Sequence, residues 1–244
     1  MARLHVEPTL REGLDIALPA GAARHVQVLR LQPGAGITLF DGGGCDWPAE
    51  ILSIGRSEVR VRVGAPHPVD RELPLAVTLA VGMPANERMD WLVEKATELG
   101  VAGIQPLQCE RSVLRLDGER AERRRAHWQA IAVAAAEQCG RARVPALRPV
   151  RRLTDWLAEP AQASDARFVL SLAGSARPFR ECLQPALQPG SGLLLLSGPE
   201  GGLTETEDRA ARAAGWQPLT LGPRVLRAET APLAVLGALT ALLA

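Results

Sequence analysis

Two short stretches concentrate the residues able to build a small-molecule site. Ser197-Gly198-Pro199-Glu200-Gly201-Gly202 follows the apolar run Leu193 to Leu196 and precedes a helix start, and Leu219-Thr220-Leu221 is a short strand feeding Gly222-Pro223-Arg224-Val225-Leu226-Arg227-Ala228-Glu229-Thr230 and a last helix. A strand that runs into a glycine turn and then a helix usually cradles phosphate, because helix-terminal N–H groups and the helix dipole attract an anion. Here the surrounding chemistry points elsewhere. No Gly-x-x-x-x-Gly-Lys-Ser/Thr and no Gly-x-Gly-x-x-Gly occurs, and Glu200, Glu205, Glu207 and Asp208 crowd the same helix start. Thr204 with Glu207 three residues on has the form of a capping box, which fills the exposed donors. A ligand without phosphate and with positive charge fits better; S-adenosylmethionine, with its sulfonium and ammonium groups, is one such ligand. A tight turn with no ligand would also account for the glycines.

The elements that position these loops read as alternating strands and helices. Leu75 to Val81 is a continuous apolar run, as in a strand covered on both faces, and residues 86–99 carry Met89, Leu92, Val93, Ala96 and Leu99 at helical spacing before Gly100. Further strands are predicted at Gly103 to Leu107, Arg167 to Leu172, Gly192 to Ser197 and Gln217 to Leu221, with helices over about 118–139, 151–159 and 204–214. This pattern predicts an α/β fold with a mainly parallel sheet, whose ligands bind beyond the carboxyl ends of the strands. The loops after Leu172, Ser197 and Leu221 lie at such ends.

Residues 1–70 read differently, as a small β-rich unit. Ser57 to Val63 alternates with period two, and Ile37-Thr38-Leu39-Phe40 before Asp41-Gly42-Gly43-Gly44 reads as strand then turn. Residues 22–30 have helical character and offer His25 and Arg30 to a partner or to solvent. The polar, proline-bearing segment from Gly64 to Arg71 predicts a domain boundary near residue 71, giving units 1–70 and 71–244.

A net charge of +1 provides no overall field toward nucleic acid, so such affinity must come from local clusters. Arg111 to Arg125 holds six arginines against three acids, and Arg141 to Arg152 holds five arginines and no acid, which favours a phosphate-facing surface for the second. Lys95 is the one lysine beside 27 arginines; it either sits where a compact ammonium is needed or survives the bias by chance. Cys45, Cys109, Cys139 and Cys182 stand far apart without a Cys-x-x-Cys pair, so reduced cytoplasmic thiols are expected, with neither disulfides nor a metal site. The start lacks an apolar signal region and Pro232 to Ala244 is too short to span a bilayer, so no membrane partner is expected. The last helix is apolar nearly all round, which predicts burial inside the domain or against a second subunit.

Taken in order, His25-Val26-Gln27-Val28-Leu29-Arg30, Asp90 to Val101, Glu110-Arg111-Ser112, Glu137-Gln138-Cys139-Gly140-Arg141, Ser197 to Gly202 and Leu221 to Ala231 resemble the RsmE family of ribosomal RNA methyltransferases, within the SPOUT class. The resemblance implies an N-terminal PUA-like β-barrel for RNA, a C-terminal α/β domain with a deep trefoil knot, a cytoplasmic homodimer, and S-adenosylmethionine as cofactor. The implied reaction is methylation of N3 of a uridine in 16S (small-subunit) ribosomal RNA on the assembled small subunit. On that basis Leu172, Gly198, Gly201, Leu221, Gly222 and Leu226 are the expected cofactor walls. Arg227 is expected to stabilise charge on the uracil oxygens, and Glu229 to be either the base or a helix cap. Arg3, His25, Arg30, Lys95, Arg111 and Arg141 are the candidate RNA contacts. The sequence departs from the family pattern at Ala228, where a threonine is expected, and in its first five residues. A non-catalytic RNA-binding or ribosome-assembly protein is the alternative; the arginine clusters suffice for it, but it leaves both glycine loops unexplained.

Overall fold

The computed structural model describes residues 2–7, 9–56, 58–85, 87–159, 165–183 and 192–243. Two compact units emerge: Met1–Glu72 with Val133–Val144, and Leu73–Ala132 with Pro145–Ala244.

In the first unit lie β1 (Arg3–His5), β2 (Asp15–Ala17), α1 (Ala20–Val28), β3 (Gly36–Phe40), β4 (Cys45–Ile54), β5 (Val59–Val63) and β6 (His67–Pro68). The strands pair in the order β1-β3-β4-β5-β2, with β6 on β4. Along β5 the alternation places Val59, Val61 and Val63 in the core and Arg60 and Arg62 in water; Ser57, at the head of the pattern, lies outside the described residues. The valines pack with Ile37, Leu39, Ile51 and Val26. Strand β4 lies outside the expected strands although Cys45, Trp47, Ala49 and Ile51 alternate with Asp46, Pro48 and Glu50, because a proline inside the run argues against a strand interior. Pairing with β3 on one side and β5 on the other holds it extended nonetheless.

Residues 133–144, which a boundary near 71 would assign to the second unit, group with the first. Arg3 explains much of this: its Nη1 donates to Ala136 O at 3.0 Å and its Nη2 to Arg141 O at 2.9 Å. His5 N donates to Glu137 Oε1 at 2.7 Å, and the Arg141 guanidinium pairs with Glu72. These contacts span more than sixty residues of sequence, where local pattern is blind.

The second unit contains β7 (Ala76–Gly82), α2 (Glu87–Glu98), β8 (Gly103–Gln108), the start of α3 (Gly118–Cys139), β9 (Ala146–Leu147), β10 (Arg151–Arg152), α4 (Leu153–Leu157), β11 (Asp165–Leu170), β12 (Arg177–Pro178), α5 (Phe179–Leu183), β13 (Gly192–Ser197), α6 (Glu205–Ala213), β14 (Gln217–Thr220) and α7 (Thr230–Leu243). Its sheet runs β10-β8-β7-β13-β11-β14-β12, with β9 on β8. All of these pairings are parallel. The leucine run of β13 sits centrally between β7 and β11, with Leu193, Leu195 and Leu196 buried, as a strand covered on both faces requires. The helix predicted over 151–159 shortens to α4 because Arg151 and Arg152 pair with Leu107 and Gln108 instead. Helix α7 buries Leu233, Val235, Leu236 and Leu239 and packs against α2, β7 and β13. Among the described residues no helix is long and apolar enough to cross a membrane.

Candidate active site

At the carboxyl ends of β11, β13 and β14 the following loops enclose a cavity of ≈ 440 Å³. Leu172, Gly198, Gly201, Leu221, Gly222 and Leu226, named from the sequence as cofactor walls, all line it. The glycines are there for space and for backbone conformation. A Cβ on Gly198 would stand 2.7 Å from Leu203 N, and Gly222 has φ +106°, in the left-handed region.

The capping box that the Thr204–Glu207 spacing predicts is formed. Thr204 Oγ1 accepts from Glu207 N at 3.2 Å, and Glu207 Oε2 accepts from Thr204 N at 2.9 Å. The other oxygen, Oε1, accepts from Glu110 N at 2.7 Å, so one buried carboxylate fastens the loop after β8 to the loop after β13. Arg111 reinforces the same junction by donating from Nη1 to Gly201 O at 3.0 Å, and it lines the cavity. The Thr204 and Glu207 N–H groups at the start of α6 are thereby occupied from within the chain, and Glu205, Glu207 and Asp208 in its first turn oppose a phosphate.

Three carboxylates reach the cavity: Glu200, Glu205 and Asp208. Arg88 meets Glu200 at 3.3 Å and Arg212 meets Asp208 at 2.7 Å, while Glu205 has no cationic partner among the described residues. Arg224, given no role by sequence reasoning, also lines the cavity, as does Ser197, whose buried Oγ has no hydrogen-bond partner among the described residues. The signal for Ser197 was its place at the strand end, directly before Gly198. Cys109 sits beside this loop junction as a buried thiol that desolvation, with help from Glu207, pushes up to about 12, so it is no nucleophile.

Arg227 and Glu229 flank Ala228, which lines the cavity, but neither lines it itself. Arg227 is exposed, and its carbonyl accepts from Thr230 N and Ala231 N, each at 3.0 Å, at the start of α7. Glu229 is 7% exposed, and its Oε2 has no hydrogen-bond partner among the described residues. As a cap it would accept from the helix start, and no such bond involves its Oε2.

The candidate RNA contacts divide sharply. His25 and Arg30 are exposed on or just after α1, with Arg30 at φ +52°, and Arg111 is exposed beside the cavity. Lys95 is held between Glu94 at 2.7 Å and Glu98 at 2.8 Å. Arg3 and Arg141 are committed internally. Arg3 meets Asp46 at 2.7 Å and lies 3.9 Å from the Phe40 ring centroid, and Arg141 is 3% exposed on Glu72. A phosphate contact from either would break a part-buried ion pair.

A family model of the RNA methyltransferase domain matches residues 71–240, and one of the RNA methyltransferase PUA domain matches residues 18–64. The α/β sheet with its loop-walled cavity therefore carries an RNA methyltransferase domain. The chain is 34% identical to ribosomal RNA small subunit methyltransferase E of Bacillus subtilis (strain 168), over 98% of this chain and 96% of that one. It superposes on ribosomal RNA small subunit methyltransferase E from Neisseria gonorrhoeae bound to S-adenosylmethionine with a TM-score of 0.89, at 35% identity, covering 99% of this chain and 98% of that one. A Legionella pneumophila protein in complex with the same cofactor gives a TM-score of 0.91 at 35% identity, with 99% and 97% covered. The chain belongs to the ribosomal RNA small subunit methyltransferase E family.

Proposed function

We propose that this protein transfers a methyl group from S-adenosylmethionine to N3 of a uridine in 16S (small-subunit) ribosomal RNA, acting on the assembled small subunit. The observation that carries this reading is the cavity at the strand ends, which abuts a self-capped helix start and is lined by carboxylates, in a chain of this family. Leu172, Gly198, Gly201, Leu221, Gly222 and Leu226 would hold the cofactor through main-chain groups and apolar contacts, and Glu205 suits its cationic groups. When bound, the cofactor supplies a methyl group already activated by its sulfonium.

The chain's own work is alignment and charge control. Uridine N3 lies on the pairing edge and carries a proton, so the base must be unpaired and then deprotonated as the methyl arrives. Arg227 stabilises the negative charge that develops on the uracil oxygens. Glu229 accepts the proton; its buried oxygen without a partner supports this role over a cap. Exposed His25, Arg30 and Arg111 contact RNA, whereas Lys95 is held by Glu94 and Glu98, and Arg3 and Arg141 position residues of the first unit.

The finer architecture we propose is a PUA-like barrel over residues 1–70 and a SPOUT methyltransferase domain over 71–244 with a deep trefoil knot. The protein works as a cytoplasmic homodimer, which the exposed apolar side chains Trp91 and Leu242 support. Labelled S-adenosylmethionine incubated with the protein and small ribosomal subunits from cells lacking it should label the RNA; unlabelled RNA would contradict the reading.

A further inference from the structure

A second cleft opens in the methyltransferase unit, and the family comparisons assign it nothing. It encloses ≈ 640 Å³ beyond the carboxyl ends of β8 and β10, beside the start of α3, and four arginines line it: Arg115, Arg120, Arg151 and Arg152, with Asp117 and Asp155. Resting on the RNA substrate proposed above, we infer that this cleft binds the phosphodiester backbone of the RNA next to the target nucleotide.

Charge pairing distinguishes part of this cleft from the neighbouring stretch of α3, where of three consecutive arginines only Arg124 is without a carboxylate partner among the described residues. On the same helix, Arg123 and Arg125 are neutralised within α3 by Glu119 at 3.6 Å and Glu122 at 2.9 Å. In the cleft, Arg120 and Arg152 have no carboxylate partner among the described residues, and Arg115 donates to the neutral Glu110 carbonyl at 2.6 Å, which orients it without cancelling its charge. Arg151 alone of the four is claimed, by exposed Glu159 at 2.5 and 2.6 Å. Guanidiniums without a carboxylate partner that line one cleft suit a phosphate.

The chemistry favours a strand over a free nucleotide. Asp117 and Asp155 would repel a compact polyphosphate, yet they offer acceptors to ribose 2′-hydroxyls and base amino groups. Position agrees. The segment that carries Arg111 into the cofactor cavity continues directly to Arg115, Leu116 and Asp117 in the cleft. Both openings lie at carboxyl ends of one parallel sheet, with β7 between β8 and β13; two strand spacings amount to roughly 10 Å. A single strand presented to the cavity passes the cleft.

The test compares the full-length protein with the double variant Arg120→Ala/Arg152→Ala, and with Arg123→Ala/Arg125→Ala on α3 as a control that removes the same charge. Binding to naked small-subunit ribosomal RNA is measured across a salt series, alongside S-adenosylmethionine binding by calorimetry. The cleft variant should weaken RNA binding and lower the slope of log K against log salt by about 1.4, two single-strand phosphate contacts, with cofactor affinity unchanged. The control should leave the slope nearly unaltered. Equal loss in both variants, or no loss in the cleft variant, overturns the inference. So does a cleft variant that keeps its affinity for naked RNA but loses it for the assembled subunit, since that outcome assigns the cleft to a ribosomal protein. A wild-type protein that binds RNA through the cleft but transfers no methyl group would contradict the proposed function and leave the cleft standing.

Discussion

Just before α7, two charged residues two positions apart face opposite environments: Arg227 is exposed, and Glu229 is buried with an unpartnered oxygen. An exposed guanidinium beside the cavity can act only when substrate arrives, so Arg227→Ala should reduce methyl transfer by about 10²-fold while leaving cofactor affinity almost unchanged. Equal turnover would remove it from the mechanism. In the first unit, His5 makes a pH-dependent prediction. Burial lowers its imidazole below the ordinary 6.5, against the raising pull of Glu137, Glu7 and Asp41. The unfolded chain therefore binds the proton more readily, so stability is lost as pH falls from 6.5 toward the lowered folded value and levels off below it. Urea melts of His5→Gln should show a flatter stability profile than wild type in that window; an unchanged profile would mean that other groups set it.

At the scale of elements, the glycine loop and α6 form one mechanical piece, since Glu207 caps the helix and also holds Glu110 N. Thr204→Ala removes half of the capping box and should cost about 1 kcal/mol in thermal denaturation, with weaker cofactor binding as the loop loosens. This piece was legible in the sequence because capping, apolar runs and glycine turns are local signals. Helix α3 and strands β7, β13 and β5 were legible for the same reason. Strand β4 was not, because Pro48 interrupts its backbone donors and argues against a strand despite the alternation around it. The roles of Arg3 and Arg141 were hidden too: a basic cluster reads alike whether it faces solvent or a carboxylate such as Glu72, far away in the chain. The six residues that the family resemblance implies as cofactor walls all line one cavity at the strand ends, whereas Arg224 carried no signal beyond its neighbourhood.

For the molecule as a whole, the net charge of +1 leaves RNA recognition to clusters rather than to a general field. Dimerisation belongs to the same scale. Trp91 is 45% exposed on α2 and Leu242 66% exposed on α7, two helices that pack together, and such a pair suits a self-complementary interface. Sedimentation at micromolar concentration should give a dimer, and Trp91→Glu/Leu242→Glu a monomer; a monomeric wild type would contradict the proposal. The central claim concerns one atom of one base. Small ribosomal subunits from cells lacking this protein, treated with it and S-adenosylmethionine, can have their 16S RNA digested to nucleosides and analysed by mass spectrometry against standards. The account predicts N3-methyluridine, absent from the untreated control; methyl groups on any other atom, or none, would contradict it.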